Sequence, residues 1–409
     1  MNKGIVSVLK LALVAGLMVF VFRQIPFQDR LVFRAGAGTG VADSQVVEIV
    51  GTWQADPIRF TRDGGAVEQL ARGVQPDGRS LEIEPGFLTY WRNLDPLLFA
   101  LGAFCYFLTA LIAGARWWWL LHVNGTDVSL WETLRFTWIG IFFNTVMPGA
   151  TGGDVVKALY IMKRCPGHRV QVMVSVIVDR VLGLGSLALL GAIVVLFALD
   201  RFADIAIGIW GVIGGVGMLG VVAFSKRLRG LVRLTWLLHR LPPRLGHVLR
   251  LVDQAVFFYR DHKWVIGASL FAGVGNHVIS VASVVFIGHA LGVGMPTFEY
   301  FVLIPVVNII TAVPIMPNGW GIGEAMYQKL FGTYGAPHLV GVPVALAQET
   351  MATRGVALSV LYRLHLTLWS LLGGIFVLFE KDRVTRADID READLERKED
   401  AVEPPAHGG

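Results

Sequence analysis

Within its apolar stretches the chain keeps a small set of ionisable residues whose types and spacing suggest chemistry. Asp154 and Lys157 are three apart, Asp179 and Arg180 are adjacent, Glu324 is followed by Lys329, and Glu349, Arg354 and Arg363 lie towards the C-terminus. A charge at membrane depth is costly unless it is paired or faces water. Two uses fit these residues. One is structural pairing, with Asp154 on Arg180 and Glu324 on Arg354 or Arg363. The other is a substrate site in which Arg180 and Arg363 neutralise a phosphate while Asp154 and Glu324 orient them or relay protons. His277, alone in an apolar run, reads as a packed histidine.

Two broken segments have to position these residues: FFNTVMPGATGGD (142–154) and VNIITAVPIMPNGWGIGE (307–324). In each, an Asn (Asn144, Asn308) precedes a Pro (Pro148, Pro317). A Gly follows four residues later (Gly152, Gly321), and a second Gly and an acid close the motif (Gly153 and Asp154; Gly323 and Glu324). Pro removes a backbone donor and interrupts a helix, and loose backbone is tolerated at membrane depth only where protein or trapped water covers it. The match between the segments indicates an internal repeat. Half-helices starting after Pro148 and Pro317 direct N–H groups and positive dipole ends inward, which suits an anion. Asp154, Arg180, Glu324 and Arg363 are expected to converge on one polar cavity.

Composition supplies the setting. The 409 residues are 54% hydrophobic and 16% charged, against roughly 25% charged for a soluble domain, which argues against a water-soluble protein. Residues 23–95 and 380–409 hold 18 and 16 of the 67 charges and are net acidic, so the net charge of +5 belongs to loops beside a bilayer. This makes nucleic acid a poor partner. Apolar runs long enough to span lie at 5–22, 96–115, 170–198, 203–225, 264–292 and within 340–379. The first reads as an uncleaved anchor. The fold class is an all-α polytopic membrane protein with inverted repeats and broken or re-entrant helices, plus a small β-rich extracytoplasmic insert. Residues 1–23 form the first transmembrane helix, 24–94 the insert, 95–380 the transmembrane domain and 381–409 a charged, partly disordered tail. Runs such as VVEIV (46–50) and Leu81 to Ile83, punctuated by DGG and PDG, indicate strands and turns in the insert. Trp117, Trp118 and Trp119 at the end of the second span read as an interfacial anchor.

Seven basic residues and no acid between 226 and 252, together with Lys163, Arg164 and Arg169, mark cytoplasmic loops. Counting crossings from these places the N-terminus inside and residues 23–95 outside. The first broken segment then enters from the cytoplasm and the second from outside, an inverted arrangement of the kind that forms transporter sites. The 340–379 stretch reads as a partly embedded helix followed by one crossing, with the tail inside.

Cys105 and Cys165 form no metal-ligand cluster, and there is no GxxxxGK[ST], HExxH or GxSxG, so no cofactor or metal is expected. Gly183, Gly185 and Ala188 fit a dinucleotide fingerprint by letter. They lie in an apolar run without a preceding strand and read as helix packing.

The pattern FxNxxxPxxxGGD followed by SVIVDR (175–180), with PxxxGxGE and SVLYR (359–363) later, resembles the flippase-like membrane domain of the lysylphosphatidylglycerol synthase family, in its uncharacterised, stand-alone YbhN-like form. The resemblance covers 96–380. It implies movement of a charged phospholipid from inner to outer leaflet and implicates Asn144, Pro148, Gly152, Gly153, Asp154, Arg180, Gly321, Gly323, Glu324 and Arg363. Asp179, Asn308 and Pro317 join these candidates from the residue reading. The family's full-length enzymes carry a cytosolic aminoacyl-transferring domain after the membrane part. Only residues 381–409 follow here, so lysyl transfer is not expected. The insert is longer than the family's usual connection. The expected function is translocation of an anionic or polyprenyl-linked lipid in a bacterial inner membrane, with a membrane enzyme or a second copy as a further partner. The alternatives are a transferase using Asp154 or Asp179 as base or metal ligand, and a non-catalytic scaffold.

Overall fold

The computed structural model describes residues 28–35, 41–146, 152–224, 259, 261–312, 322–339 and 344–380. The 5–22 run, the basic 226–252 segment, Pro148, Pro317, Gly321 and the 381–409 tail lie outside the described residues. The chain divides into two compact units. One is built from Met1–Tyr106, Val281–Leu303 and Gly319–Thr367, the other from Phe107–Ser280, Ile304–Asn318 and Leu368–Gly409.

The first unit begins with six antiparallel strands: β1 (Asp29–Ala35), β2 (Val41–Ile49), β3 (Ile58–Thr61), β4 (Glu68–Leu70), β5 (Gly73–Val74) and β6 (Arg79–Glu84). Their order in the sheet is β4-β3-β2-β1-β6-β5. The two edge strands, β4 and β5, are separated in sequence only by Ala71 and Arg72, so the sheet curls until its edges meet. Alternating side chains fill the interior: Leu31 and Phe33 from β1, Val47 and Ile49 from β2, Ile58 and Phe60 from β3, Leu81 and Ile83 from β6, with Trp53 added from a loop. The expected DGG and PDG turns are present, with positive φ at Asp63, Gly64 and Gly78. Arg72 stitches the seam, since its backbone N–H donates to Asp56 Oδ1 (3.0 Å) and its Nε to Ala55 O (3.0 Å). Buried Asp29 joins the sheet to helix α1 (Phe87–Asn93) by accepting from Ile49 N (2.9 Å), Gly86 N (2.5 Å) and Thr89 Oγ1 (2.8 Å).

The helices that follow are α2 (Pro96–Val123), α3 (Leu130–Val146), α4 (Gly152–Arg164), α5 (Arg169–Val195), α6 (Leu199–Phe224), α7 (Lys263–Ala290), α8 (Thr297–Thr311), α9 (Ile322–Gly335) and α10 (Val344–Phe379). Four helical stretches are long and apolar enough to cross a membrane: Pro96–Val123, Arg169–Gly215, Lys263–Ala290 and Ala347–Phe379. The second contains a kink at Phe202, and a Cβ on Gly191 would come within 3.2 Å of Ile209 Cδ1, so α6 folds back along α5 as two separate runs require. Asp95 caps α2 by accepting from Leu97 N (2.9 Å) and Leu98 N (3.0 Å), with Pro96 in the first helical position, where its missing N–H does no harm. Among the described residues the 340–379 stretch is one continuous helix, α10, of 36 residues and about 54 Å, in place of the expected embedded helix followed by a separate crossing.

The first broken segment is an antiparallel hairpin of two short helices. In the second unit, α4 returns along α3. Asn144 Oδ1 accepts from Gly153 N (2.9 Å), and a Cβ on Gly153 would overlap the Gly140 carbonyl. Glycine is required there because the two backbones touch. In the first unit, the start of α8 meets the end of α9, with Glu299 Oε1 2.6 Å from His338 Nε2 and the Tyr300 and Phe331 rings 5.6 Å apart, edge to face. With 13 and 14 residues, α4 and α9 are about 20 Å long, too short for a ~30 Å hydrocarbon layer.

Candidate functional site

Asp154 is the third residue of α4 and Glu324 the third of α9, so each carboxylate sits in a first turn, where the positive end of the helix dipole favours it. Around Asp154 the second unit gathers five charges from three helices. Arg180 on α5 donates to Asp154 Oδ2 through both Nε and Nη2. Lys157 Nζ lies 3.1 Å from Asp154 Oδ1 and 3.8 Å from Asp179 Oδ2. Arg116 on α2 approaches Asp179 Oδ1 with Nη2 at 2.9 Å and donates from Nε at 2.9 Å. The result is an alternating chain, Arg180–Asp154–Lys157–Asp179–Arg116. Four of its members are buried, while Arg180 keeps 47% of its side chain exposed. Alternation compensates each buried charge, which is the condition for holding such groups away from water.

Trp117 supports the chain from below. Its indole is fully buried, Lys157 Nζ stands 4.3 Å from the ring centroid, and its Nε1 donates to Ser175 Oγ (3.1 Å). The expected interfacial anchor is therefore corrected at this position. Trp118 also turns inward, donating to Val128 O (2.9 Å), and Trp119 packs against the cluster of Leu120, Val174 and Val178. The α2 helix continues to Val123, which sets Trp117 within the helices, while Trp118 and Trp119 stay partly exposed.

In the first unit Arg363 Nε lies 2.6 Å from Glu324 Oε1, and Ser359 Oγ donates to the same oxygen (3.4 Å). A Cβ on Gly323 would overlap the Arg363 guanidinium, so this glycine makes room for the pair. Glu324 takes Arg363, and the other candidate, Arg354, bonds elsewhere, to Val293 O (2.9 Å).

The remaining candidates fall as follows. Asn144 closes the first turn of α4, which occupies its side-chain oxygen within the protein. Gly152 opens α4, and Gly153 is the hairpin contact. Asn308 lies in the last turn of α8, where its carbonyl accepts from Ala312 N (2.9 Å). The Asp154 and Glu324 pairs belong to different units. His277 is a packing residue, with Nε2 3.0 Å from Gly183 O, and Gly183, Gly185 and Ala188 lie inside α5 as expected for helix contacts. Sequence reasoning missed Arg116, Trp117, Ser175 and Ser359. An arginine lying before the end of an apolar helix was the available signal for Arg116.

Polar contacts also join the far ends of these helices. Glu132, third in α3, lies 3.6 Å from Arg164 at the end of α4, and Glu299, third in α8, pairs with His338 beyond α9. Glu380, immediately after α10, is buried with Arg135 Nη2 at 3.0 Å and Arg164 Nη2 at 3.3 Å.

These features define a polytopic helical membrane protein in which two short helices, α4 and α9, each carry a carboxylate in the first turn paired with an arginine. Residues 86–353 match the family described as the lysylphosphatidylglycerol synthase TM region, and the chain belongs to that family. It is 28% identical over 309 residues to a UPF0104 membrane protein of Pyrococcus horikoshii, an alignment covering 69% of this chain and 86% of that protein. No solved structure matches it.

Proposed function

We propose that the protein is a translocase that moves an anionic or polyprenyl-linked lipid between leaflets, with the charge chain of the second unit receiving the anionic headgroup. The observation that carries this reading is the half-exposed Arg180 on buried Asp154, backed by Lys157, Asp179 and Arg116. A guanidinium at the accessible end of a compensated ion chain can exchange a carboxylate for a phosphate without leaving a buried charge bare. The equivalent placing of Glu324 and Arg363 supports a repeat in which α4 and α9 both take part in transport.

The membrane is a bacterial inner membrane, with the N-terminus inside. The position of Glu380 supports this orientation. The end of α10 meets the start of α3 and the end of α4, which puts Glu380 beside the basic turn containing Lys163, Arg164 and Arg169. The transferase alternative is weaker, because Asp154 and Asp179 are each held by two cations, which opposes their use as general bases.

The test is a leaflet-exposure assay with the purified protein in sealed vesicles. Fluorescent phosphatidylglycerol should become accessible to an external quencher faster than in protein-free vesicles, and a labelled diacylglycerol should show no protein-dependent change. Equal rates for phosphatidylglycerol with and without protein would reject the reading.

A further inference from the structure

A second cationic place lies in the first unit, where the strand insert meets the helices. Arg354 on α10 is partly buried. Its Nη1 donates to Val293 O (2.9 Å), its Nε is buried without a hydrogen-bond partner, and no carboxylate pairs with it among the described residues. Its guanidinium carbon stands 5.7 Å from the Trp53 ring centroid. Arg72, from the seam of the insert, faces the same indole at 6.0 Å. Burial, with the nearby Arg354 charge added, holds Arg72 below the usual arginine range, and Asp56 only partly opposes this. Asp56 is the counter-charge on the Arg72 side, and Arg354 has no carboxylate partner among the described residues, so an added anion would compensate it.

The surroundings hold this geometry in place. Gln54 Nε2 donates to Leu291 O (2.8 Å) and Gly292 O (3.1 Å), fastening the insert to the loop after α7. Gly294, at φ +83°, leaves room for Arg354, since a Cβ there would come within 3.2 Å of Nη1.

We propose that Arg354 and Arg72, gathered against Trp53, form an anion site for a phosphate group, supplied by the phosphodiester of a lipid headgroup. Arg72 already donates from Nε to Ala55 O and from Nη2 to Trp53 O, so it would reach the ligand through Nη1, whereas the Arg354 Nε has no hydrogen-bond partner. Phosphate suits the pair because several of its oxygens can accept at once. The insert then has a task, which is to supply half of a headgroup site that α10 cannot complete alone. The site rests on its own residues and is independent of the translocase reading.

The test is native mass spectrometry of the full-length protein in a non-ionic detergent, titrated with dioctanoyl phosphatidylglycerol. Dioctanoylglycerol serves as the phosphate-free control and inorganic phosphate as competitor. The wild type should retain the phospholipid and not the control. Arg354→Gln and Arg72→Gln should each weaken retention about tenfold or more, the loss expected for one charge-assisted hydrogen bond, and Arg354→Lys should lose less. Competition by inorganic phosphate at equal concentration would keep the anion site and overturn its assignment to lipid. Unchanged retention in both glutamine variants would overturn the site itself. If Arg354→Gln does not yield folded protein, Arg72→Gln decides alone. Loss of lipid movement in vesicles with retention intact would reject the translocase reading and leave this site standing.

Discussion

Lys157 lies one helical turn beyond Asp154, 3.1 Å from its carboxylate, and a second carboxylate, Asp179, stands 3.8 Å away on a neighbouring helix. One ammonium thus holds two buried acids together. Replacing Lys157 with Met leaves both facing each other in a place that water does not reach. The expected loss is about 3–5 kcal/mol, read as a lower thermal midpoint of the purified protein in detergent. Adding Asp179→Asn should recover part of it. An unchanged midpoint for the single variant would show that the acids are neutralised by Arg180 and Arg116 alone.

The Glu132–Arg164 and Glu299–His338 contacts differ in burial and should differ in energy. Glu132 keeps 30% of its side chain exposed beside Arg164, whereas Glu299 keeps 2% beside His338. Glu132→Gln should cost about 0–1 kcal/mol, and Glu299→Gln about 3 kcal/mol, because it breaks a buried pair. Denaturation midpoints of the two variants measured side by side will show whether the order holds.

At Gly153 a methyl group would overlap the Gly140 carbonyl, whereas around Gly208, inside α6, a Cβ would meet nothing within 4 Å. Gly153→Ala should therefore separate α3 from α4 and sharply reduce folded protein. Gly208→Ala should be neutral or stabilise by about 0.5–1 kcal/mol through its helix propensity. Equal yields of monodisperse protein for both variants would contradict the backbone contact.

Much of this architecture was legible in the sequence because it rests on local signals. Apolar runs of sufficient length became α2, α5, α6, α7 and α10, and the Gly153–Asp154 and Gly323–Glu324 pairs fall in the first turns of α4 and α9. The pair Asp154–Arg180 was readable from the cost of burying charge, whereas the sequence left Glu324 a choice between Arg354 and Arg363 that the structure decides for Arg363. Arg116 was missed because its partner, Asp179, lies 63 residues away on another helix, a contact that no local pattern encodes. Trp117 was misplaced because an aromatic near the end of a span looks alike to sequence whether it meets headgroups or a buried lysine. The curling of the insert was equally hidden. It depends on β4 and β5, strands of three and two residues, too short to show a periodicity.

Topology can be tested with a native thiol. Cys165 lies in the turn between α4 and α5, and its Sγ donates to Asp127 O (3.4 Å). Burial first, with Asp127 and Glu132 adding to it, pushes the thiol pKa up. Less thiolate is then present at neutral pH, so alkylation should be slow at pH 7 and faster at pH 9. With this turn in the cytoplasm, an impermeant maleimide should label Cys165 only after the cells are permeabilised. Labelling on intact cells would reverse the orientation.

The central claim is that the Arg180 end of the charge chain meets the lipid headgroup. Its most direct test compares wild type and Arg180→Ala in the vesicle assay, with folded protein quantified by gel filtration and thermal midpoint. The account predicts that Arg180→Ala reduces phosphatidylglycerol movement about tenfold or more, the effect of losing a bidentate charge-assisted contact, while the yield and midpoint stay near wild type. Wild-type lipid movement in Arg180→Ala, or loss of folded protein in parallel with loss of movement, would contradict it and leave Arg180 as a structural partner of Asp154.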